Sequence, residues 1–315
     1  MSYILVPHAD DEFQAWSLIE NSPANYKVFI YATRSEETGY CDPATYPSGY
    51  QSGKEKAANP VPTGRWSASC ESARMNSLKA FFAQMSATDP TIPGSFGPQV
   101  TKGPFPANGT PICREDSLPP DGVCNSTGTS PRDKVDTTAR VLVDTQGRGA
   151  IVMFNLGDGD LTEAEAVWAV KTVRDNRAAL GLNTSLPNYN LLGTFANSTT
   201  YADGCKVYPH SDHRSVHLAL YKTDFNMKYQ SAATCAMDTD VTRSKTVTDA
   251  SANAAWKYDV SGTVSTGAHN NNYGWLMNVN RSAENSNSVW HYPLSRTTQK
   301  DIFHTHQYFW TKFAH

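Results

Sequence analysis

The stretch Tyr3-Ile4-Leu5-Val6-Pro7-His8-Ala9-Asp10-Asp11-Glu12 begins with four apolar residues and halts at a proline. Proline lacks an N–H and fixes φ, so an apolar run that ends there reads as a short buried strand closing in a turn. Apolar residues return at helical spacing over 13–19, and a second β-rich run at 27–32 ends in the polar loop 33–39. Strand, tight turn, helix and strand make a βαβ unit, which implies a parallel sheet covered on its faces. In such sheets the ligand crevice lies at the carboxyl ends of the strands, where this chain carries His8, Asp10, Asp11 and Glu12.

Outward from that unit, residues 71–85 have helical periodicity, with Ala73, Leu78, Phe81, Phe82 and Met85 tending to one face. Residues 87–137, rich in Pro, Gly, Ser and Thr, read as an inserted loop region, longer than a compact domain carries without a functional reason. Runs at 139–144 and 150–156 read as a hairpin or two adjacent strands. Asp160 followed by Glu163 resembles a capping box opening a helix to about residue 180. A strand at 190–195 and a helix at 213–221 follow, with His217 an exposed helix residue rather than a ligand. Beyond 222 the chain is rich in Asn, Ser and Thr and closes in a helical stretch at 297–313. The expected class is α/β: a Rossmann-like, mostly parallel sheet flanked by helices, with a core at 1–222. Residues 223–315 form a C-terminal elaboration that packs on the core and ends in a helix.

The 315 residues are 39% hydrophobic and 18% charged, with a net charge of −3. No cluster of Lys and Arg interleaves with aromatics, so nucleic acid and anionic membrane have no electrostatic footprint. No apolar run approaches the roughly 18 residues of a membrane span. Residues 1–7 lack a charged n-region and a long h-region, so no signal peptide is expected, and a cytoplasmic place or an exposed, virion-associated one stays open. Six cysteines form no CxxC pair, which argues against a Cys-rich zinc site. Cys113 and Cys124 flank a turn-rich stretch that a disulfide would close, while free buried thiols are the equal alternative.

His8 and Asp11 stand three apart across a strand-to-helix turn, a spacing that brings an imidazole nitrogen and a carboxylate oxygen to one point. A second turn, Tyr208-Pro209-His210-Ser211-Asp212-His213, adds two imidazoles before another helix. Taken alone, each turn reads as solvated or helix-capping residues. Taken together, two His and one Asp around an open position fit a catalytic metal site, because closed structural zinc sites use four protein ligands.

Pro7 to Glu12 (PHADDE) and His210 to His213 (HSDH) resemble the LmbE/PIG-L family of metal-dependent de-N-acetylases, whose signatures read HPDDE and HPDH. The loop at 33–39, the helix containing Glu71, Leu156-Gly157-Asp158-Gly159 and His304-Thr305-His306-Gln307 echo further family positions in order. The resemblance covers the chain to about 222 and its last stretch. It implies that His8, Asp11 and His213 hold Zn²⁺, or another divalent metal such as Fe²⁺. It also implies that Asp10 is the general base, that His210 stabilises the oxyanion and assists the leaving amine, and that Asp212 orients His210. Asp158 and His304 fall at substrate-contacting positions, and the family's arginine ahead of the Glu71 helix is Arg65 or Arg74. Ala9 and Ser211 each replace a family proline without removing a ligand. The implied substrate is an N-acetylglucosamine-containing glycan, such as a cell-envelope glycan, that loses acetate.

Two rival readings remain. His8-Ala9-Asp10 with a distant His also spells the facial triad of non-haem iron oxygenases, which is mounted on a jelly roll. Related domains in phage tail proteins permit a non-catalytic glycan-binding or structural role.

Overall fold

The computed structural model describes residues 1–9, 11–15, 18–19, 22, 24–37, 41–42, 59–112, 136–193, 210–234, 246–251 and 306–315. Strands β1 (Ser2–Val6) and β2 (Lys27–Tyr31) are buried at every position, as strands covered on both faces must be. They pair in parallel, Ser2 opposite Lys27 through Val6 opposite Tyr31. The other strands are β3 (Val100–Lys102), β4 (Asp136–Val143), β5 (Gly149–Asn155), β6 (Asn190–Gly193), β7 (Tyr229–Thr234), β8 (Thr246–Ser251) and β9 (His306–Ala314). Among the described residues they form one sheet in the order β3-β4-β5-β2-β1-β6-β7-β9-β8. The central run from β5 to β7 is parallel, and antiparallel strands extend both edges. The chain fills one side of β1 with β2 and β5, then crosses to β6 and β7 on the other. That reversal opens a crevice at the carboxyl end of β1.

Helices cover both faces. On one face α1 (Ala68–Thr88) sets Phe82 edge-on against Phe29 of β2, with ring centroids 4.5 Å apart. On the other, α2 (Glu163–Asp175) and α4 (Ser211–Lys222) bury Trp168, Val170, Val173, Val216 and Leu220 with Tyr3, Leu5, Val28, Ile30, Val152 and Phe154. Each such side chain removed from water contributes roughly 1.5–3 kcal/mol. A short helix, α3 (Arg177–Leu180), follows α2 and ends at Gly181, whose φ of 74° is the left-handed conformation glycine adopts freely. Glu71 of α1 is buried because Arg140 Nη1 of β4 and Arg34 Nε, at 3.5 Å, both meet its carboxylate.

Several expectations change. The capping box belongs to Thr162 and Glu165 rather than Asp160 and Glu163. Thr162 N–H donates to Glu165 Oε2 at 2.8 Å, and Glu165 N–H donates back to Thr162 Oγ1 at 3.2 Å. The described part of the 87–137 region is built into the domain: Ile92 and Phe105 are buried, and β3 pairs with β4. After β1 the chain forms a 3-10 turn at Asp11–Ala15. The closing stretch is not helical over its described part, since residues 306–314 are β9, placed between β7 and β8. Its aromatic run Tyr308-Phe309-Trp310 suits a pleated surface, and two strands needed partners there. The 1–222/223–315 division therefore falls between α4 and β7, which continues the same sheet beside β6. Cys41 and Cys70 are disulfide-bonded, joining the loop after β2 to α1, whereas Cys113 and Cys124 lie outside the described residues.

Candidate metal centre

The turn after β1 is tied down from two sides. Thr33 sends its N–H and its hydroxyl to the Pro7 carbonyl, at 3.3 and 2.9 Å. Ala9 N–H donates to Ser35 Oγ at 2.6 Å, and Arg74 of α1 donates to the Ala9 carbonyl. These bonds fix the backbone from which His8 and Asp11 project. Asp11 then lies at the start of the 3-10 turn, where an acidic side chain is favoured by the exposed N–H groups.

Two imidazoles and a backbone N–H meet at Asp11 Oδ2. His8 Nδ1 lies 3.0 Å from it, His213 Nε2 of α4 3.1 Å, and the His8 backbone N–H also donates to it at 3.2 Å. All three residues are buried. Ligand atoms 2.0–2.1 Å from one tetrahedral zinc sit roughly 3.3 Å apart, so these donors stand at nearly ligand separation and fit a divalent cation. A carboxylate with two imidazoles is also the donor set such a cation takes.

The far side of the His8 ring carries two more carboxylates. His8 Nε2 is 2.8 Å from Asp212 Oδ2 and 3.1 Å from Asp158 Oδ1. Asp158 stands on a turn where Gly157 and Gly159 have φ of 88° and 97°. At Gly159 a φ of 97° is backbone that side-chain-bearing residues rarely adopt, so this turn favours glycine. Glu37 N–H donates to Asp158 Oδ2 at 2.5 Å, and Gly159 N–H donates to Asp212 Oδ2 at 2.9 Å. His210 is the N-cap of α4, its Nδ1 accepting the Asp212 N–H at 3.4 Å, and its ring stands edge-on 4.5 Å from that of His8.

Charge follows this packing. Burial would drive His8 toward the neutral form, but the Asp158 charge and hydrogen bonds to Asp11, Asp158 and Asp212 raise its pKa well above the ordinary value. Burial also opposes ionisation of Asp11, yet the charge and hydrogen bond of His213, with those of His8, hold it far below the carboxylate range. Asp212 is held at about 2 against its burial, chiefly by the His8 hydrogen bond and charge. His210 is lowered to about 4 by burial and by the neighbouring His8 charge.

The structure thus brings His8, Asp11, Asp158, His210, Asp212 and His213 together. Asp10 and His304 lie outside the described residues. Of the two arginines, Arg65 is exposed and away from these contacts, while Arg74 is the one buried against the His8 turn. The Asp212 carboxylate meets His8 at 2.8 Å, and toward His210 the Asp212 backbone N–H donates to Nδ1. His217 is buried and stacked on Tyr221, not exposed. Sequence reasoning missed Ser35 and Glu36. Burial pushes the Glu36 carboxyl up to about 7 against the pull of Arg34, and only its place in the polar loop after β2 hinted at either residue. Among the described residues no helix is long and apolar enough to cross a membrane. No protein-family model, curated protein or solved structure matches the chain.

Proposed function

We propose that this chain, on a Rossmann-like sheet, is a zinc-dependent de-N-acetylase that hydrolyses the N-acetyl group of an N-acetylglucosamine-containing glycan and releases acetate. The observation that carries the reading is the convergence of His8 Nδ1 and His213 Nε2 on Asp11 Oδ2 at the carboxyl end of β1. With the metal bound to His8, Asp11 and His213, its charge would acidify a water and polarise the amide carbonyl. Asp10, beside the ligand turn in sequence, takes the proton from the attacking water. His210 donates to the carbonyl oxygen as negative charge develops there, and assists departure of the amine. Asp158 offers carboxylate oxygen to sugar hydroxyls beside the His8 ring. The mostly parallel sheet disfavours the iron-oxygenase alternative, whose triad sits on a jelly roll.

The test is acetate release from a panel of N-acetylglucosamine-containing substrates, cell-envelope fragments included, by zinc-loaded protein and its Asp10→Asn variant. Wild type is expected to release acetate, and the variant to lose 10²–10⁴-fold in turnover, as removal of a general base does, while keeping its zinc. Loss of zinc in the variant would make Asp10 a ligand instead of the base. Glycan binding without acetate release from any substrate would favour the non-catalytic module.

A further inference from the structure

His8 belongs to two groups of side chains with donors for a cation: His8, Asp11 and His213 on the Nδ1 side of its ring, and His8, His210 and Asp212 on the Nε2 side. A neutral imidazole offers a lone pair at only one nitrogen, so the position of its single proton decides which group can bind. The two sides differ in what already occupies the carboxylates.

Asp212 Oδ2 accepts from Gly159 N–H at 2.9 Å and faces His8 Nε2 at 2.8 Å. Its Oδ1 accepts from Leu161 N–H at 3.0 Å, while the Ser211 hydroxyl, 3.1 Å from that oxygen, has its one hydrogen nearer the Gly159 carbonyl, at 2.9 Å. Two of these donors are backbone groups, which cannot turn away. The carboxylate is therefore fixed as an acceptor, and His8 Nε2, which faces it at 2.8 Å and Asp158 Oδ1 at 3.1 Å, carries a hydrogen. On that side His210 already uses its Nδ1 lone pair to cap α4, accepting the Asp212 N–H at 3.4 Å. On the other side, Asp11 Oδ2 has one backbone donor, the His8 N–H at 3.2 Å, and is otherwise met by two imidazole nitrogens that one cation can replace together.

We infer that Asp212 is a positioning residue for His8: pinned by Gly159 and Leu161, it keeps the proton on His8 Nε2 and so makes Nδ1 the nitrogen that faces the cation. This rests on the metal-dependent reading above, and it differs from the role the family resemblance implies, in which Asp212 acts on His210. A carboxylate behind a metal-binding imidazole fixes the tautomer and raises ligand basicity, and its loss ordinarily weakens metal binding by about 10–100-fold.

Two measurements on the full chain test it. Nitrogen-15 NMR of histidine-labelled, zinc-loaded protein is expected to show His8 protonated at Nε2. Competition with a zinc chelator is expected to show Asp212→Asn binding zinc about 10–100-fold more weakly than wild type. Ser211→Ala, which removes a hydroxyl beside Asp212 Oδ1 but leaves the Asp212 contact with His8, is expected to bind within about threefold of wild type. Zinc bound by wild type with His8 protonated at Nδ1 would overturn the inference, as would unchanged affinity in a folded Asp212→Asn variant. If that variant does not fold, the wild-type spectrum decides alone. Failure of wild type to bind zinc at all would overturn the metal-dependent reading, and the inference with it.

Discussion

Replacing Asp11 by alanine is expected to abolish zinc binding and turnover together and to cost the metal-free fold about 3–5 kcal/mol, as loss of one partner from a buried ion pair does. The size follows from what Asp11 Oδ2 does alone: it receives His8 Nδ1, His213 Nε2 and the His8 N–H, all within 3.2 Å and all buried. Without the carboxylate, two buried imidazoles, with ring centroids 5.5 Å apart, face each other with nothing between them. Because the folded-state pKa of Asp11 is depressed, the stabilisation it provides is present above the unfolded value of about 4 and is lost as pH falls toward the folded value. Urea unfolding at neutral pH measures the loss of stability, and chelator competition measures the loss of zinc. Wild-type zinc affinity in Asp11→Ala would put the cation elsewhere.

The second large effect lies at the opposite end of the sheet. Asp144, in the turn between β4 and β5, accepts from the N–H groups of Gly94, Ser95, Gln146 and Arg148 and from the Arg148 guanidinium, at 2.8–3.1 Å. It thereby joins the segment after α1 to the β4–β5 hairpin. Burial opposes its charge, but the Arg148 hydrogen bond and the three backbone donors Gly94, Ser95 and Arg148 depress its pKa well below the usual range. Asp144→Ala is expected to destabilise by about 3–5 kcal/mol, since it strands a charged partner and several donors at once. The wild-type contribution is fully present above about pH 4 and fades as pH falls toward the depressed value. Acid titration of stability should therefore be shallower in the variant than in wild type. An equally steep profile would show that Asp144 does not drive the acid transition.

What could be read from sequence was what is local. The strand, proline and acidic turn from Tyr3 to Glu12 announce themselves within ten residues, and the ligand pair His8 and Asp11 sits inside that turn. The α4 turn is equally local, with His213 two residues into the helix. What depended on distant partners did not show. The His8–Asp212 contact joins residues 204 apart, and no spacing rule distinguishes it from a contact with the nearby His210. β9 is a strand because β7 and β8 flank it, while its own aromatics at 308, 309, 310 and 313 also suit a helix. The Cys41–Cys70 bridge occurs in only three of the 15 connectivities that six cysteines allow if all are paired. Arg74, inside α1, reaches the His8 turn, whereas Arg65 precedes that helix and is exposed, a difference that depends on how α1 packs on a turn 65 residues away. The α2 cap slipped by two residues because Asp160/Glu163 and Thr162/Glu165 match the same pattern, and only the bonds Thr162 makes choose between them.

The most direct test of the central claim is acetate release from an N-acetylglucosamine-containing substrate by protein stripped with a chelator and then reloaded with one equivalent of zinc. Activity that disappears on stripping and returns with one zinc per chain is the predicted result. Full activity in protein shown to be free of metal would contradict it.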